Sequence, residues 1–156
     1  GMKAEIAAAF DEVTYQGGLT YTAHPISLAA AIANIQVMQD EHIVEHVRQM
    51  GPVLHRLLTD LGEQHPSVGE VRSIGLFGVI ELVRDRQSKE PLAPWNASSP
   101  EMNALRKFCL ERGLFVYTHW HTVLIIPPLI ISEDELAEGF SILDRALALT
   151  EKAMSG

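Results

Sequence analysis

Residues 71–82 read Val71-Arg72-Ser73-Ile74-Gly75-Leu76-Phe77-Gly78-Val79-Ile80-Glu81-Leu82, and this stretch decides the fold class. Its aliphatic and β-branched side chains abandon the helical spacing of the preceding segment and favour extended strands. Two glycines interrupt the run, which is typical of a bulge or of a close approach by another part of the backbone. The stretch from Val68 to Arg84 therefore predicts two strands or one bent strand.

The segments on either side predict helices and a second strand pair. Upstream, an alanine-rich helix is expected from Pro25 to about Gln39, and an amphipathic helix follows it, in which Gly51-Pro52 predicts a kink or a restart. Downstream come a helix after Ser99, strands over 115–120 and 122–126, and a last helix opened by a capping-box sequence at Ser132. The economical arrangement is an α+β fold: a small two-layer sandwich with a mostly antiparallel sheet covered by helices, preceded by a long helix.

A second stretch has a different character: Gly17-Gly18-Leu19-Thr20-Tyr21-Thr22-Ala23-His24-Pro25-Ile26. Two glycines open a turn, hydroxyl side chains follow, and a proline suits the first turn of a helix. Such a turn lets backbone approach a ligand, and the start of a helix offers unpaired N–H groups to an anion such as a phosphate. An ordinary helix start is the alternative that these residues leave open.

Three motifs resemble the class III aminotransferases, which use pyridoxal phosphate (PLP). Residues 18–25 are similar to the family's Gly-Phe/Tyr-Thr-Tyr-Ser-Gly-His-Pro, and Val71-Arg72-Ser73-Ile74-Gly75-Leu76 is similar to Val-Arg-Gly-x-Gly-Leu. Pro127-Pro128-Leu129-Ile130-Ile131-Ser132 resembles Pro-Pro-Leu-Ile-Ile-Thr. Their order covers nearly the whole chain and matches the C-terminal part of such an enzyme. The resemblance implies that residues 1–24 form an N-terminal segment with the turn, and that 25–156 form the small C-terminal domain of a fold type I PLP enzyme with its leading interdomain helix.

The resemblance also implies roles for particular residues. In the family, the threonine of the first motif reaches the phosphate of a PLP held by the partner subunit, so Thr20 is the expected cofactor-binding residue. Many members carry a carboxylate-binding arginine at about the position of Tyr117, and that clamp is not carried over here. Tyr117, His119 and His121 alternate and are expected on one strand face, where they line a substrate pocket, bind a metal, or simply form hydrogen bonds. We assign Tyr117 and His119 to the substrate side and expect no metal.

The lysine that forms the Schiff base with PLP is not expected in this chain. The sequence has Lys3, Lys89, Lys107 and Lys152, and none lies in the glycine-containing context that the resembling enzymes show. We therefore expect no catalytic residue, no PLP bound by the chain alone, and an inactive C-terminal fragment that lacks the upstream lysine-bearing domain. The alternative is a non-catalytic interaction module or a truncated relic of the same fold.

Composition bounds the partners. A chain of 156 residues with 47% hydrophobic residues can bury a core, and its net charge of −8 argues against nucleic acid. The apolar run from Val123 to Ile131 is too short to cross a membrane. One cysteine and no apparent secretory signal favour the cytoplasm. The expected partners are a second copy or the missing large domain, with a small amine and a keto acid as substrates of the full enzyme.

Overall fold

The computed structural model describes residues 2–18, 20 and 22–154, with Ala153 described by its backbone alone. The chain divides into two compact units, Gly1–Glu41 and His42–Gly156. The predicted domain boundary between residues 24 and 25 refers to the complete enzyme, and it stays a prediction. In chain order the elements are α1 (Ala4–Ala8), α2 (Pro25–Asp40), α3 (Ile43–Gln64), β1 (Val68–Ile74), β2 (Phe77–Asp85), β3 (Glu90–Pro91), α4 (Pro100–Leu110), β4 (Tyr117–His119), β5 (Thr122–Ile125), α5 (Glu133–Leu147) and a short 3-10 turn (Glu151–Ala153).

The first unit consists of α1, an irregular segment and α2. Pro25 occupies the start of α2, as expected of a residue whose missing N–H has no helical partner there. No residue of α2 is buried. Its large apolar side chains are exposed and lie on several faces of the helix: Ile26, Leu28, Ile32, Ile35 and Val37. A helix that is apolar all round normally lies inside a larger assembly.

The second unit is built on an antiparallel sheet with strand order β1-β2-β5-β4, and the two-residue β3 pairs with β2. The stretch from Val71 to Leu82 forms parts of two strands, with Ile74 opposite Phe77 at the ends of a tight hairpin. Strand β5 pairs with β2, placing Ile80 opposite Val123. The predicted α+β sandwich with a mostly antiparallel sheet is confirmed.

Helices α3, α4 and α5 form the second layer of this unit. Leu54 and Leu58 of α3 and Leu143 of α5 are almost completely buried, together with Ile80 and Val123 of the sheet. These side chains belong to one continuous core. At about 25 cal/mol per Å² of apolar surface, such burial is the main force holding the helices on the sheet. A kink or a restart was predicted at Gly51-Pro52. The restart was wrong, because α3 continues through Pro52 as one helix, and the kink stays a prediction.

A close approach between α3 and the β1–β2 turn explains two glycines. A Cβ added to Gly51 would lie 3.2 Å from the Cα of Gly75. Gly75 has φ +53°, and a Cβ there would lie 2.9 Å from Cγ1 of Val47. Glycine is thus required at position 75 both by backbone conformation and by lack of space. This contact fixes the hairpin against the helix layer.

Candidate functional site

Thr20 lies in an exposed turn of the first unit, shortly before α2. The turn includes Ala23 in the left-handed region, at φ +58°, and the chain then becomes extended at His24. The carbonyl of His24 accepts the first-turn N–H of Leu28 at 3.0 Å. Leu19 and Tyr21 lie outside the described residues. Thr20 itself is exposed to solvent in this turn.

The four lysines occupy ordinary surface positions. All are exposed, including Lys3 in the first unit. The Nζ of Lys89 lies 3.8 Å from Oε2 of Glu70, and that of Lys107 lies 3.8 Å from Oε1 of Glu111. A lysine that forms a Schiff base needs a protected site and a lowered pKa. An ion pair in solvent favours the charged lysine instead. The expectation that the Schiff-base lysine lies outside this chain stays a prediction.

The hairpin of β4 and β5 presents two of the predicted substrate-side residues together. Tyr117 and His119 are both exposed and lie two residues apart in β4, so they project to the same side of the strand. Their ring centroids are 6.4 Å apart. The geometry brings the two side chains together, and their assignment to substrate binding stays a proposal.

His121 does not join them, and the prediction of three residues on one strand face was wrong. Strand β4 ends at His119, and Trp120 turns the chain with φ +53°. The backbone carbonyl of His121 accepts the N–H of Leu82 at 2.8 Å, while its Nδ1 is buried without a hydrogen-bond partner within the described structure. Across residues 2–18, 20 and 22–154, no group of three or more His, Cys, Asp or Glu side chains is placed to hold a metal ion.

Arg72, the cation of the second motif, is already engaged by carboxylates. Its Nη1 donates to Glu70 at 2.8 Å and its Nη2 donates to Glu81 on the neighbouring strand at 2.5 Å. The hydrogen bond and the charge of Arg72 lower the pKa of Glu70. This arrangement ties β1 to β2 at the surface and satisfies the guanidinium. Arg72 therefore has a structural role rather than being a free clamp for a substrate carboxylate.

An apolar cavity of about 220 Å³ lies between the β4–β5 region and α5. Phe115, Ile126 and Phe140 are among the residues that line it. Its one carboxylate is that of Glu135, which accepts the N–H of Ser132 at 2.9 Å in the capping box at the start of α5. The Ser132 contacts lower the pKa of Glu135. The carboxylate is thus committed to the helix end and offers no general acid or base to the cavity.

The fold is that of aminotransferase domains. The taurine:2-oxoglutarate aminotransferase of Bifidobacterium kashiwanohense, solved with PLP and glutamate, superimposes with a TM-score of 0.86 and 29% sequence identity over 96% of this chain. The family model for class III aminotransferases matches residues 1–147, and the chain belongs to that family.

Two curated relatives show how the family varies. The chain is 30% identical to the putrescine–pyruvate aminotransferase of Pseudomonas aeruginosa over 92% of its length, and 35% identical to ethanolamine-phosphate phospho-lyase homolog 1 of Caenorhabditis elegans over 85%. It covers 32% and 28% of those proteins, and 33% of the Bifidobacterium structure. The chain thus spans about a third of the length of these relatives.

Sequence reasoning overlooked Trp120 and Arg106. The indoles of Trp95 and Trp120 are in contact, with ring centroids 3.7 Å apart. Trp120 and Arg106 both line a second cavity, which is polar. The signal in the sequence was weak: a tryptophan within Thr118-His119-Trp120-His121, and another in a proline-rich loop. Since the two lie 25 positions apart, their contact depends on the hairpin and the loop meeting in the fold.

Among the described residues, no helix is long and apolar enough to cross a bilayer.

Proposed function

We propose that this chain is the C-terminal portion of a PLP-dependent class III aminotransferase, an enzyme that transfers an amino group between an amine or amino acid and a keto acid. The observation that carries the proposal is the family match over residues 1–147 in a chain whose four lysines are all exposed. In this proposal the lysine comes from a segment outside the 156 residues. One relative is named a phospho-lyase, so amino transfer does not follow from the family alone.

Thr20 is the proposed contact to the PLP phosphate. The exposed hydroxyl in a turn ahead of α2 suits a phosphate oxygen, and the resemblance assigns that role to this threonine. The residues present therefore fit the phosphate end of the cofactor, whereas no lysine fits the covalent link. When bound, PLP supplies the electron sink for the amine carbon. In this proposal, this chain contacts the phosphate of a PLP that the neighbouring subunit holds.

Tyr117 and His119 are proposed to line the substrate side. Tyr117 is 51% exposed and offers a phenol where many members have an arginine. A phenol cannot grip a carboxylate with two parallel hydrogen bonds as a guanidinium does. The side chain at this position thus favours a neutral or aromatic part of the substrate over a carboxylate.

A first experiment tests inactivity of the chain alone. PLP is titrated into the purified chain, and the visible absorption of a lysine Schiff base is recorded together with amino transfer from an amine to pyruvate. We expect neither signal. Appearance of the Schiff-base band, removed by substitution of one of the four lysines, would contradict the proposal.

A second experiment tests Thr20 in a complete enzyme. Residues 1–147 replace the matching third of the Pseudomonas enzyme, and PLP affinity is measured in the chimera with Thr20→Val and with Thr22→Val as the nearby control. Loss of one hydrogen bond to a charged phosphate predicts a PLP dissociation constant about tenfold higher for Thr20→Val. An equal effect of both substitutions, or of neither, would exclude the proposed contact.

Association with a second copy or with the large domain is part of the proposal. The exposed apolar side chains of α2 support it, since such a helix is stable in water mainly when another surface covers it. The same observation favours the second candidate, a non-catalytic interaction module. Amino transfer by the chimera, with binding of PLP, separates the first function from the second. A cytoplasmic location also stays a proposal and rests on the sequence.

A further inference from the structure

A polar cavity of about 390 Å³ lies in the second unit. Three segments line it: the loop at Asn96–Ser98, one side of α4, and the end of β4 with its turn. Its volume falls within the range of sites that hold small organic ligands. The cavity is open to solvent along one side, so a ligand can enter without rearrangement of the core.

One wall of this cavity is aromatic. The indole of Trp95 packs against that of Trp120 at 3.7 Å between centroids, and the His119 ring meets Trp120 edge-on at 4.0 Å. Trp95 is 78% exposed. The two indoles are tilted by 47°, and Trp120 lines the cavity together with His119, whereas Trp95 packs against Trp120. An aromatic wall suits a flat ring better than a flexible aliphatic chain.

Another part of the lining can donate hydrogen bonds and carries a positive charge. Arg106 and Asn103 project from α4, and the Oδ1 of Asn103 accepts from Ser98 at 3.0 Å, which leaves its N–H groups for a ligand. No carboxylate is among the eight lining residues. Within the described part of the chain, Arg106 takes part in none of the ion pairs.

An unpaired guanidinium is unusual in this protein. The chain carries a net charge of −8, and other arginines such as Arg56 and Arg72 have carboxylate partners. A planar guanidinium in a carboxylate-free cavity attracts a planar anion, because it can donate two parallel hydrogen bonds to it. The cavity thus combines a ring-stacking wall with a carboxylate-binding wall.

We propose that this cavity binds an aromatic carboxylate, whose ring lies against Trp120, the indole that Trp95 packs against, and whose carboxylate pairs with Arg106. The site lies wholly within this chain and needs no PLP. The cavity shares His119 with the proposed substrate side, but the inference goes beyond the proposed amino transfer, and its failure would leave the Thr20 proposal untouched.

The chain reports on this cavity by itself, since Trp120 lines it and Trp95, the chain's other tryptophan, contacts Trp120. Their indole N–H signals are followed by NMR while 2-naphthoate is added to the full chain, and affinity is measured by calorimetry. The uncharged 2-naphthamide and the non-aromatic decalin-2-carboxylate are the matched control ligands. We expect 2-naphthoate to shift both indole signals and to bind at least about tenfold more tightly than either control.

Substitutions then separate the two walls. Arg106→Gln should weaken 2-naphthoate about tenfold and leave 2-naphthamide unchanged, whereas Trp95→Ala should weaken both. The matched control is Arg48→Gln, which changes an exposed arginine on a different helix, α3, and should alter neither affinity. Equal binding of 2-naphthoate and 2-naphthamide by the unmodified chain would overturn the proposal. So would unchanged indole signals, or binding that Arg106→Gln and Arg48→Gln affect alike.

Discussion

The contact between α3 and the β1–β2 turn predicts a large cost for Gly75→Ala. The left-handed backbone at φ +53° costs an alanine about 1–2 kcal/mol, and overpacking adds about 1–3 kcal/mol because the new Cβ would lie 2.9 Å from Cγ1 of Val47. Val47 is β-branched on a helix and has essentially one rotamer, so it does not swing aside. We expect the free energy of unfolding to fall by about 2–5 kcal/mol in urea denaturation.

Two further variants isolate the steric part of that cost. Gly113 also has a left-handed backbone, φ +81°, but no atom lies within 4 Å of an added Cβ, so Gly113→Ala should cost about 1–2 kcal/mol. In a Val47→Ala background the overpacking is absent, and Gly75→Ala should cost no more than Gly113→Ala. A coupling energy near zero between positions 47 and 75 in this double-mutant cycle would refute the packing argument.

Three other outcomes are expected. Burial raises the pKa of the Cys109 thiol to about 11, above its usual 9.0. The stability that the neutral thiol contributes is therefore complete below pH 9 and is lost as the pH rises towards 11. Urea titrations at several pH values check this, and Cys109→Ala is the control that should remove the loss. Ser132→Ala deletes the capping box of α5 and should cost about 1 kcal/mol in thermal melts, and Ser132→Asp should retain most of that stability. Ile32→Glu with Ile35→Glu should shift the chain towards monomer in light scattering, because both side chains are exposed on α2; an unchanged mass would show that α2 is not the contact.

The local features of the fold could be predicted because they depend on neighbouring residues. Ser99 accepts the N–H of Met102 at the start of α4, as its position before Pro100 indicated. The β1–β2 hairpin and the capped start of α5 likewise lie where the sequence placed them. The restart at Pro52 was wrong, since the surrounding apolar stripe, with Leu54 and Leu58 fully buried, holds α3 together through the proline.

The candidate site was predictable only in part. Tyr117 and His119 share one side of β4 because two-residue alternation defines a strand, whereas His121 left that side once the chain turned at Trp120. No local rule predicted that turn. The role of Thr20 depends on a cofactor that another subunit would hold, so neither the sequence pattern nor the structure of this chain decides it.

By itself, the sequence determined the α+β class, the strand-rich stretch at residues 71–82 and the membership suggested by three ordered motifs, because periodicity, caps and motifs are carried by residues close along the chain. Only the tertiary structure decided that β5 lies beside β2 and that Trp95 meets Trp120. Those contacts join segments far apart in sequence. They form because burial of one core brings the segments together, and the spacing of residues along the chain does not predict such contacts.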